Sequence, residues 1–596
     1  MKELDNCVFE RIALAVSGGG FRAAAYGLGT LNALHVLGVL ENVHILSTIS
    51  GGTITGAYYS LRRKKGDSFE AIYEDLYEIL EKDEVLAKAI GNWEKAAKNN
   101  GENYKLIRAF SDVYNEDLYS RALFDAFWQP DPAEHPFHLQ SVIFSATELH
   151  TGIAFRFQYA SHLPDKIEND GRLFDSYFIG NGNVTIPRNR AREIRLADIV
   201  AASSCFPVGF EPLVLPNDFF SPTSADLVFL SSNGTPVDID RLGLIDGGIY
   251  DNQGIEAIIM ANRRNAAFLE STVSHNTFET NTSLKPSTLL LIADVASAER
   301  GIYEPPGEGP IQGKTNPIGS IGKKANRTII ILMAFVVVLT VAQLGTFYGG
   351  NFFFGLLAGL ALTIAAFLFV ARILWIQLTD QLEKLSPKIY RMAMPVFLKF
   401  TFQQWGYLLK VRLMTMIKLL LSVFLRRVRS LNYGLAFQNN TAFAPKAVIS
   451  SIIGGIIRDA DRPVSNLSSI RKESRLFLSI IKTGSEMGTT LWWLDDKRRM
   501  QLIVVSAEIT LLYRILLDFE KRAKRSSHPL CQLDQQVYDR ANLLWQAFVL
   551  SQDSCQPSTY LPNFRLHPSM AVAVSTPGTL PADLIAQAKL DPFRGG

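Results

Sequence analysis

Cysteine is scarce. The 596 residues hold four, Cys7, Cys205, Cys531 and Cys555, with no CxxC pair. Such spacing suggests neither a disulfide framework nor a cysteine-type zinc site, and it fits a reducing compartment. Histidine is scarce too, with nine, and none stands in a recognisable catalytic loop. That thins the case for a Ser-His-Asp triad. Glycine (42) and proline (26) are at ordinary levels, which excludes collagen-like and globally disordered chains. The opening MKELDNCVFERIALAV carries Glu3, Asp5, Glu10 and Arg11 and lacks a long apolar core, so no signal peptide is expected. Internal repeats and low-complexity tracts are lacking, and no metal or cofactor is expected.

Charge is missing altogether from one region. Thr328–Ala371 is a run of 44 residues without Asp, Glu, Lys or Arg. A bilayer core needs roughly 20 helical residues to cross. The run divides into 328–347 and 352–371 around Tyr348-Gly349-Gly350-Asn351, which is turn chemistry, so the reading is a transmembrane helical hairpin. The plainer alternative is a pair of buried helices in a large core. Lys323, Lys324 and Arg327 precede the run, and Arg372, Lys384, Lys388 and Arg391 follow it. Both flanks are thereby expected on the cytoplasmic side.

Positive charge is concentrated around that run. Residues 311–430 hold 15 Lys/Arg against Asp380 and Glu383, a net of +13, while the remainder carries −10. Leu408–Leu425, with Lys410, Arg412 and Lys418, reads as a helix lying among anionic headgroups. A core helix with snorkelling lysines is the competing reading. Nucleic acid is not the expected partner, because the aromatics here sit within apolar runs and form no stacking platform.

The first 300 residues read as an α/β unit. Arg11–Ser17 is a buried strand, Gly18-Gly19-Gly20 a loop, and Phe21–Leu40 a helix. Val43–Ile49 is a second strand, ending at Ser50-Gly51-Gly52, and Thr53–Leu61 is a second helix. This is the βαβα opening of a parallel sheet. The glycine loop could cradle a pyrophosphate, but the acidic residue a dinucleotide site wants is replaced by Ser47-Thr48-Ile49-Ser50. It could instead present backbone N–H groups to a developing negative charge. Ser50, between strand and helix, fits a nucleophile elbow and fits a helix N-cap equally well. Asp246, followed by Gly247 and Gly248, fits either a turn or a base for serine.

Taken in order, Gly18-Gly19-Gly20-Phe21-Arg22, Thr48-Ile49-Ser50-Gly51-Gly52 and Asp246-Gly247-Gly248 resemble the signature blocks of patatin-like phospholipases. Ser145–Gly152 and Ala201–Pro207 resemble two further stretches of that family, so the resemblance covers roughly residues 10–260. It implies a three-layer, parallel-sheet α/β hydrolase core with Ser50 as nucleophile and Asp246 as its base. It also implies an oxyanion hole from the Gly18–Phe21 loop, fixed by Arg22, and fatty-acid release through an acyl-enzyme. One departure stands out: the elbow is usually G-x-S-x-G, and Thr48 occupies the first glycine's place.

The expected organisation is a catalytic core over 1–310, a membrane block over 311–430, a helical region over 431–555 and a proline-rich tail over 556–596. Ile470–Ile481 and Arg499–Lys524 are helix-patterned, as either core helices or a separate lobe, and a short helix is expected over Pro581–Leu590. The function that follows is a membrane-anchored lipid acyl hydrolase, with membrane phospholipid as both substrate and anchor. Restraint by a regulatory partner or by self-association is expected. The alternative from another class is a non-catalytic membrane scaffold on the same fold.

Overall fold

The structure is a computed structural model. It describes residues 7–82, 84–100, 104–132, 136–161, 179–207, 209–219, 229–231, 235–274, 285–296, 318–345, parts of 360–395, 398–438, 444–456, 498–525, 529–553 and 566–590. The chain divides into two compact units, one of residues 1–299 with 424–596, the other of residues 300–423.

The larger unit is built on a ten-stranded sheet. Its strands are Ile12–Val16 (β1), Val43–Ile49 (β2), Ser141–Glu148 (β3), Ala154–Ala160 (β4), Ile179–Gly180 (β5), Thr185–Ile186 (β6), Leu213–Leu215 (β7), Leu242–Asp246 (β8), Leu289–Asp294 (β9) and Ala447–Ile452 (β10). The main path runs β10-β9-β1-β2-β3-β4-β5-β6, with β8 bridging β3 and β7. From β10 to β3 the pairing is parallel. Beyond β3 it turns antiparallel, and β8 also joins β3 antiparallel. The expectation of a parallel sheet is thus corrected to a mixed one. Its parallel half keeps the continuous apolar strands that burial on both faces demands.

The helices of this unit are Gly20–Val36 (α1), Gly51–Lys64 (α2), Phe69–Lys82 (α3), Val85–Asn100 (α4), Leu106–Val113 (α5), Arg188–Arg192 (α6), Leu196–Ser204 (α7) and Ile255–Ser274 (α8). Ile318–Gly345 (α9) and Phe402–Lys418 (α10) belong to the smaller unit, and a π-helical turn, Leu419–Phe424, follows α10. The larger unit resumes with Leu425–Gln438 (α11), Arg498–Arg525 (α12), Gln532–Asp553 (α13), Met570–Ser575 (α14) and Pro581–Leu590 (α15).

Alternation along the strands sorts these helices into layers. Ile12, Leu14 and Val16 of β1 join a large apolar cluster with α1, α2 and α12, whereas Ala13 and Ala15 join a smaller one with α8 and Ala436 of α11. Helix α12 is therefore core, not a separate lobe. It lies so close to α1 that a Cβ on Gly29 would sit 2.4 Å from the Val504 carbonyl oxygen. Buried Glu508 of α12 accepts from Asn32 Nδ2 at 2.8 Å and from the Leu566 amide at 3.2 Å. The segment expected as a region of its own over 431–555 thus supplies a strand and a face of the larger unit.

Two segments far apart in the chain meet as well. Cys7 and Cys531 are joined by a disulfide with a Cα–Cα distance of 5.6 Å. Beside it the Asp534 carboxylate accepts from the amides of Val8 and Phe9 at 3.1 Å. The reading of unpaired cysteines is corrected, because a separation of 524 residues leaves no local signal of pairing. With it goes the ground for a reducing compartment.

Helix α9 takes in most of the first expected span, and the short helix over Pro581–Leu590 is present as α15. Among the described residues no helix is long and apolar enough to cross a membrane. Most of 352–371 lies outside the described residues, as do residues 346–351 and the helix expected over Ile470–Ile481. The hairpin therefore has no structural support.

Because β10 and α12 complete the sheet and cover α1, residues 1–300 expressed alone are expected to aggregate. The full chain should give a single folded species. Size-exclusion chromatography with far-UV circular dichroism checks this.

Candidate active site

Strands β1 and β2 are parallel neighbours, so the loops leaving their carboxyl ends stand side by side. The turn after β2 carries Ser50 at φ 52° and ψ −124°, a conformation that L-residues seldom adopt. Several bonds hold it there. The Ser50 amide donates to Ser203 Oγ at 3.0 Å, the Ser203 hydroxyl donates to the Ser145 carbonyl at 2.7 Å, and the Thr53 amide donates to the Ser50 carbonyl at 2.8 Å. Ser203 lies on α7, inside the Ala-Ser-rich stretch. Its pattern was visible, but its role in orienting the serine turn was not.

The glycines after Ser50 answer to close packing. A Cβ on Gly51 would lie 1.8 Å from the Gly20 carbonyl oxygen, and one on Gly52 would lie 2.7 Å from that of Ser17. Thr48 is accommodated from the other side. A Cβ on Gly56, one turn into α2, would meet Thr48 Cγ2 at 2.4 Å. The room that Thr48 needs is thus provided by Gly56.

Asp246 ends β8 and is brought to Ser50 because β8 pairs with the far half of β3, Asp246 standing opposite Ala146. Its carboxylate accepts from the Gly248 amide at 2.7 Å, and the Ser50 hydroxyl is near enough to pull its pKa down. Gly247 packs tightly, its missing Cβ leaving room for the Ser145 carbonyl oxygen at 2.2 Å. Both Ser50 and Asp246 are buried. Burial pushes the Asp246 carboxyl up to about 6, against the opposing pull of the Ser50 hydroxyl and the Gly248 amide.

The glycine loop faces the same turn. Gly19 (φ 147°) and Gly20 (φ 64°) have backbones suited to glycine. The amides of Gly19, Gly20 and Phe21 open α1, where first-turn N–H groups have no acceptor within the helix. The Gly18 amide is differently used, donating to the Asn252 carbonyl at 2.9 Å. Arg22 is buried and donates to the Val295 carbonyl at 2.6 Å, so it braces the loop from behind. Its guanidinium is lowered to about 10 by burial.

Other titratable groups are engaged elsewhere. His35 pairs with Glu70, His44 with Arg11 and Ser287, and His138 with Tyr59 and Glu41. Burial raises the Cys205 thiol to about 12, which keeps it protonated. The one metal-type cluster among the described residues is Cys7, Cys531 and Asp534, whose sulfurs are bonded to each other. Chemically, a serine hydroxyl set beside a buried carboxylate opposite helix-start amides is equipped for acyl transfer.

Residues 14–259 match the family described as patatin-like phospholipase. Comparison with curated proteins gave no match. Among solved structures the chain is similar to human GIVD cytosolic phospholipase A2, at 16% identity and a TM-score of 0.27, covering 48% of this chain and 46% of that one. The same human enzyme with methyl gamma-linolenyl fluorophosphonate inhibitor and terbium chloride gives 18%, 0.26, 48% and 41%. The chain thus spans under half the length of those structures.

Gly56→Ala is expected to cost about 1–3 kcal/mol of stability and to weaken any Ser50-dependent activity, by driving a methyl into Thr48. The double variant Thr48→Gly/Gly56→Ala should recover most of both. Thermal unfolding and labelling of Ser50 by a fluorophosphonate measure the recovery.

Proposed function

We propose that this chain is a membrane-anchored serine lipid acyl hydrolase, releasing fatty acid from phospholipid or lysophospholipid esters through a Ser50–Asp246 dyad. The observation that carries the reading is the strained Ser50 set beside the buried Asp246 carboxylate, opposite the amides that open α1. Ser50 Oγ attacks the ester carbonyl as its proton passes to Asp246. The amides of Gly19, Gly20 and Phe21 hold the oxyanion. The leaving alcohol takes the proton, and a fatty-acyl serine remains. Water, deprotonated by Asp246, then releases the acid and restores the serine.

Burial of Asp246 suits this role. A carboxylate poised at about 6 is a stronger base than one at 3.8, which matters when no histidine mediates. The match to the patatin-like family supports ester hydrolysis as the reaction.

Membrane anchoring rests on the uncharged run over Thr328–Ala371 and on what surrounds it. Ile330, Ile331, Phe335 and Val338 on α9 are exposed, as are Phe367, Val370 and Leu374. On α10 exposed Leu409, Leu413 and Met416 accompany Lys410, Arg412 and Lys418, a pairing suited to an anionic lipid surface. Positive flanks favour the cytoplasmic side, whereas the Cys7–Cys531 bond favours an oxidising one. Protease protection of a terminal tag in sealed membranes decides between them.

Ser50→Ala and Asp246→Asn are each expected to lower fatty-acid release from anionic phospholipid vesicles by about 10³-fold or more. A folded wild-type chain that releases no fatty acid and whose Ser50 resists a fluorophosphonate is the scaffold instead.

Wild-type activity should fall as pH drops through about 6, where Asp246 takes up a proton and no longer accepts one from Ser50. Stability moves the other way. A carboxyl raised in the folded state loses stability as pH rises from about 3.8 through about 6. Asp246→Asn should therefore unfold a few degrees higher than wild type above pH 6, and the gap should close near pH 4. A pH–rate profile with matched melting curves checks both.

A further inference from the structure

Helix α11 reaches two buried carboxylates that stand behind the active site. One of its faces carries Arg429, Asn432 and Tyr433, at the i, i+3, i+4 spacing that lines up side chains. Asn432 Nδ2 donates to Asp251 Oδ1 at 2.7 Å, and the Tyr433 hydroxyl donates to Asp294 Oδ2 at 2.9 Å. Arg429 Nε lies 3.2 Å from the same Asp294 oxygen. Gln253 links the two acids, its Nε2 donating to Asp294 Oδ2 at 3.4 Å while its Oε1 accepts from Asn432 at 3.4 Å.

Each carboxylate organises one half of the site. Asp251 closes the turn that begins at Asp246, accepting from the amides of Gln253, Gly254 and Glu256 at 3.1, 2.9 and 2.9 Å. The neighbouring Asn252 carbonyl holds the Gly18 amide. Asp294 ends β9, and Val295 beside it accepts from Arg22 and donates to Ser17 Oγ at 3.1 Å. The Val295 side chain fills the space where a Cβ on Gly19 would stand, at 2.4 Å. The dyad turn and the glycine loop are therefore fastened to separate carboxylates, and one helical face holds both. Burial disfavours the charge on Asp251, so the Asn432 donor helps to keep it ionised and its turn closed.

We propose that the Arg429–Asn432–Tyr433 face of α11 is a positioning element of the hydrolase site, setting the Asp246 turn and the Gly18–Phe21 loop in register with each other. The proposal rests on the hydrolase reading above. These side chains act through Asp251 and Asp294 and are not catalytic residues. They come from the segment that follows the basic, apolar helix α10 and the π-helical turn in the chain, beyond the part that matches the patatin-like family.

The test uses the full chain in detergent micelles mixed with anionic phospholipid. Asn432→Leu keeps the branched shape and removes the donor, Asn432→Gln keeps a donor, and Tyr433→Phe removes only a hydroxyl. Leu435→Ala alters an exposed position of the same helix. The rate and final extent of fluorophosphonate labelling at Ser50 are read beside kcat and KM for fatty-acid release.

In Asn432→Leu the labelling rate and kcat should fall on the order of 10- to 100-fold, with full labelling extent and KM within about twofold of wild type. Asn432→Gln should recover part of the loss, Tyr433→Phe should show a smaller one, and Leu435→Ala should show none. A wild-type rate in Asn432→Leu overturns the proposal. So does a lowered labelling extent at unchanged rate, which is a loss of folded protein only. If Asn432→Leu fails to fold, Tyr433→Phe carries the same criteria, and a wild-type rate there overturns the proposal. An inactive, unlabelled wild type removes the hydrolase reading and this one with it. Active wild type with unaffected variants removes this one alone.

Discussion

Two helices that start at the carboxyl edge of the sheet touch backbone to backbone. The Gly20 carbonyl and Gly51 leave no space for a side chain between them, and the site depends on that contact. It follows from the parallel pairing of β1 with β2, which sets the loops after both strands next to each other. It brings the opening amides of α1 to face the serine turn that opens α2. Ser50 holds an uncommon backbone conformation because the surroundings over-determine it: Ser203 holds its amide, Thr53 its carbonyl, and the Gly20 backbone closes the space beyond.

The same close packing tunes the chemistry. A serine that relies on a carboxylate alone needs that carboxylate to be basic, and exclusion of water is what makes Asp246 so. In the proposed dyad, burial of Asp246 takes the place of a triad's histidine. The histidines with described partners hold structural contacts elsewhere, consistent with their lack of a catalytic-loop pattern in the sequence.

What the sequence disclosed was local. β2 is legible because seven consecutive residues are buried on both faces, and Ser50 because small residues mark the turn that follows. Asp246 was visible as a turn residue, but its meeting with Ser50 depends on β8 crossing to β3, which no local pattern encodes. Strand β10 was not legible, since AVISSI is one-third polar and lies at the sheet's edge, where one side needs no apolar neighbour. Ser203 and Asn432 were missed for a shared reason: each matters only through a partner more than 150 residues away. The Cys7–Cys531 pair is the extreme case.

The order in which the unit's parts occur along the chain has its own consequence. The strand that completes the parallel half of the sheet, the helix that covers α1 and the face that grips Asp251 and Asp294 all come after residue 423. A ribosome releases residues 300–423 before any of them, so synthesis delivers the apolar, basic block while the serine and aspartate still lack their supports. The surroundings of Ser50 and Asp246 are a late product of translation, completed after residues 300–423 have emerged.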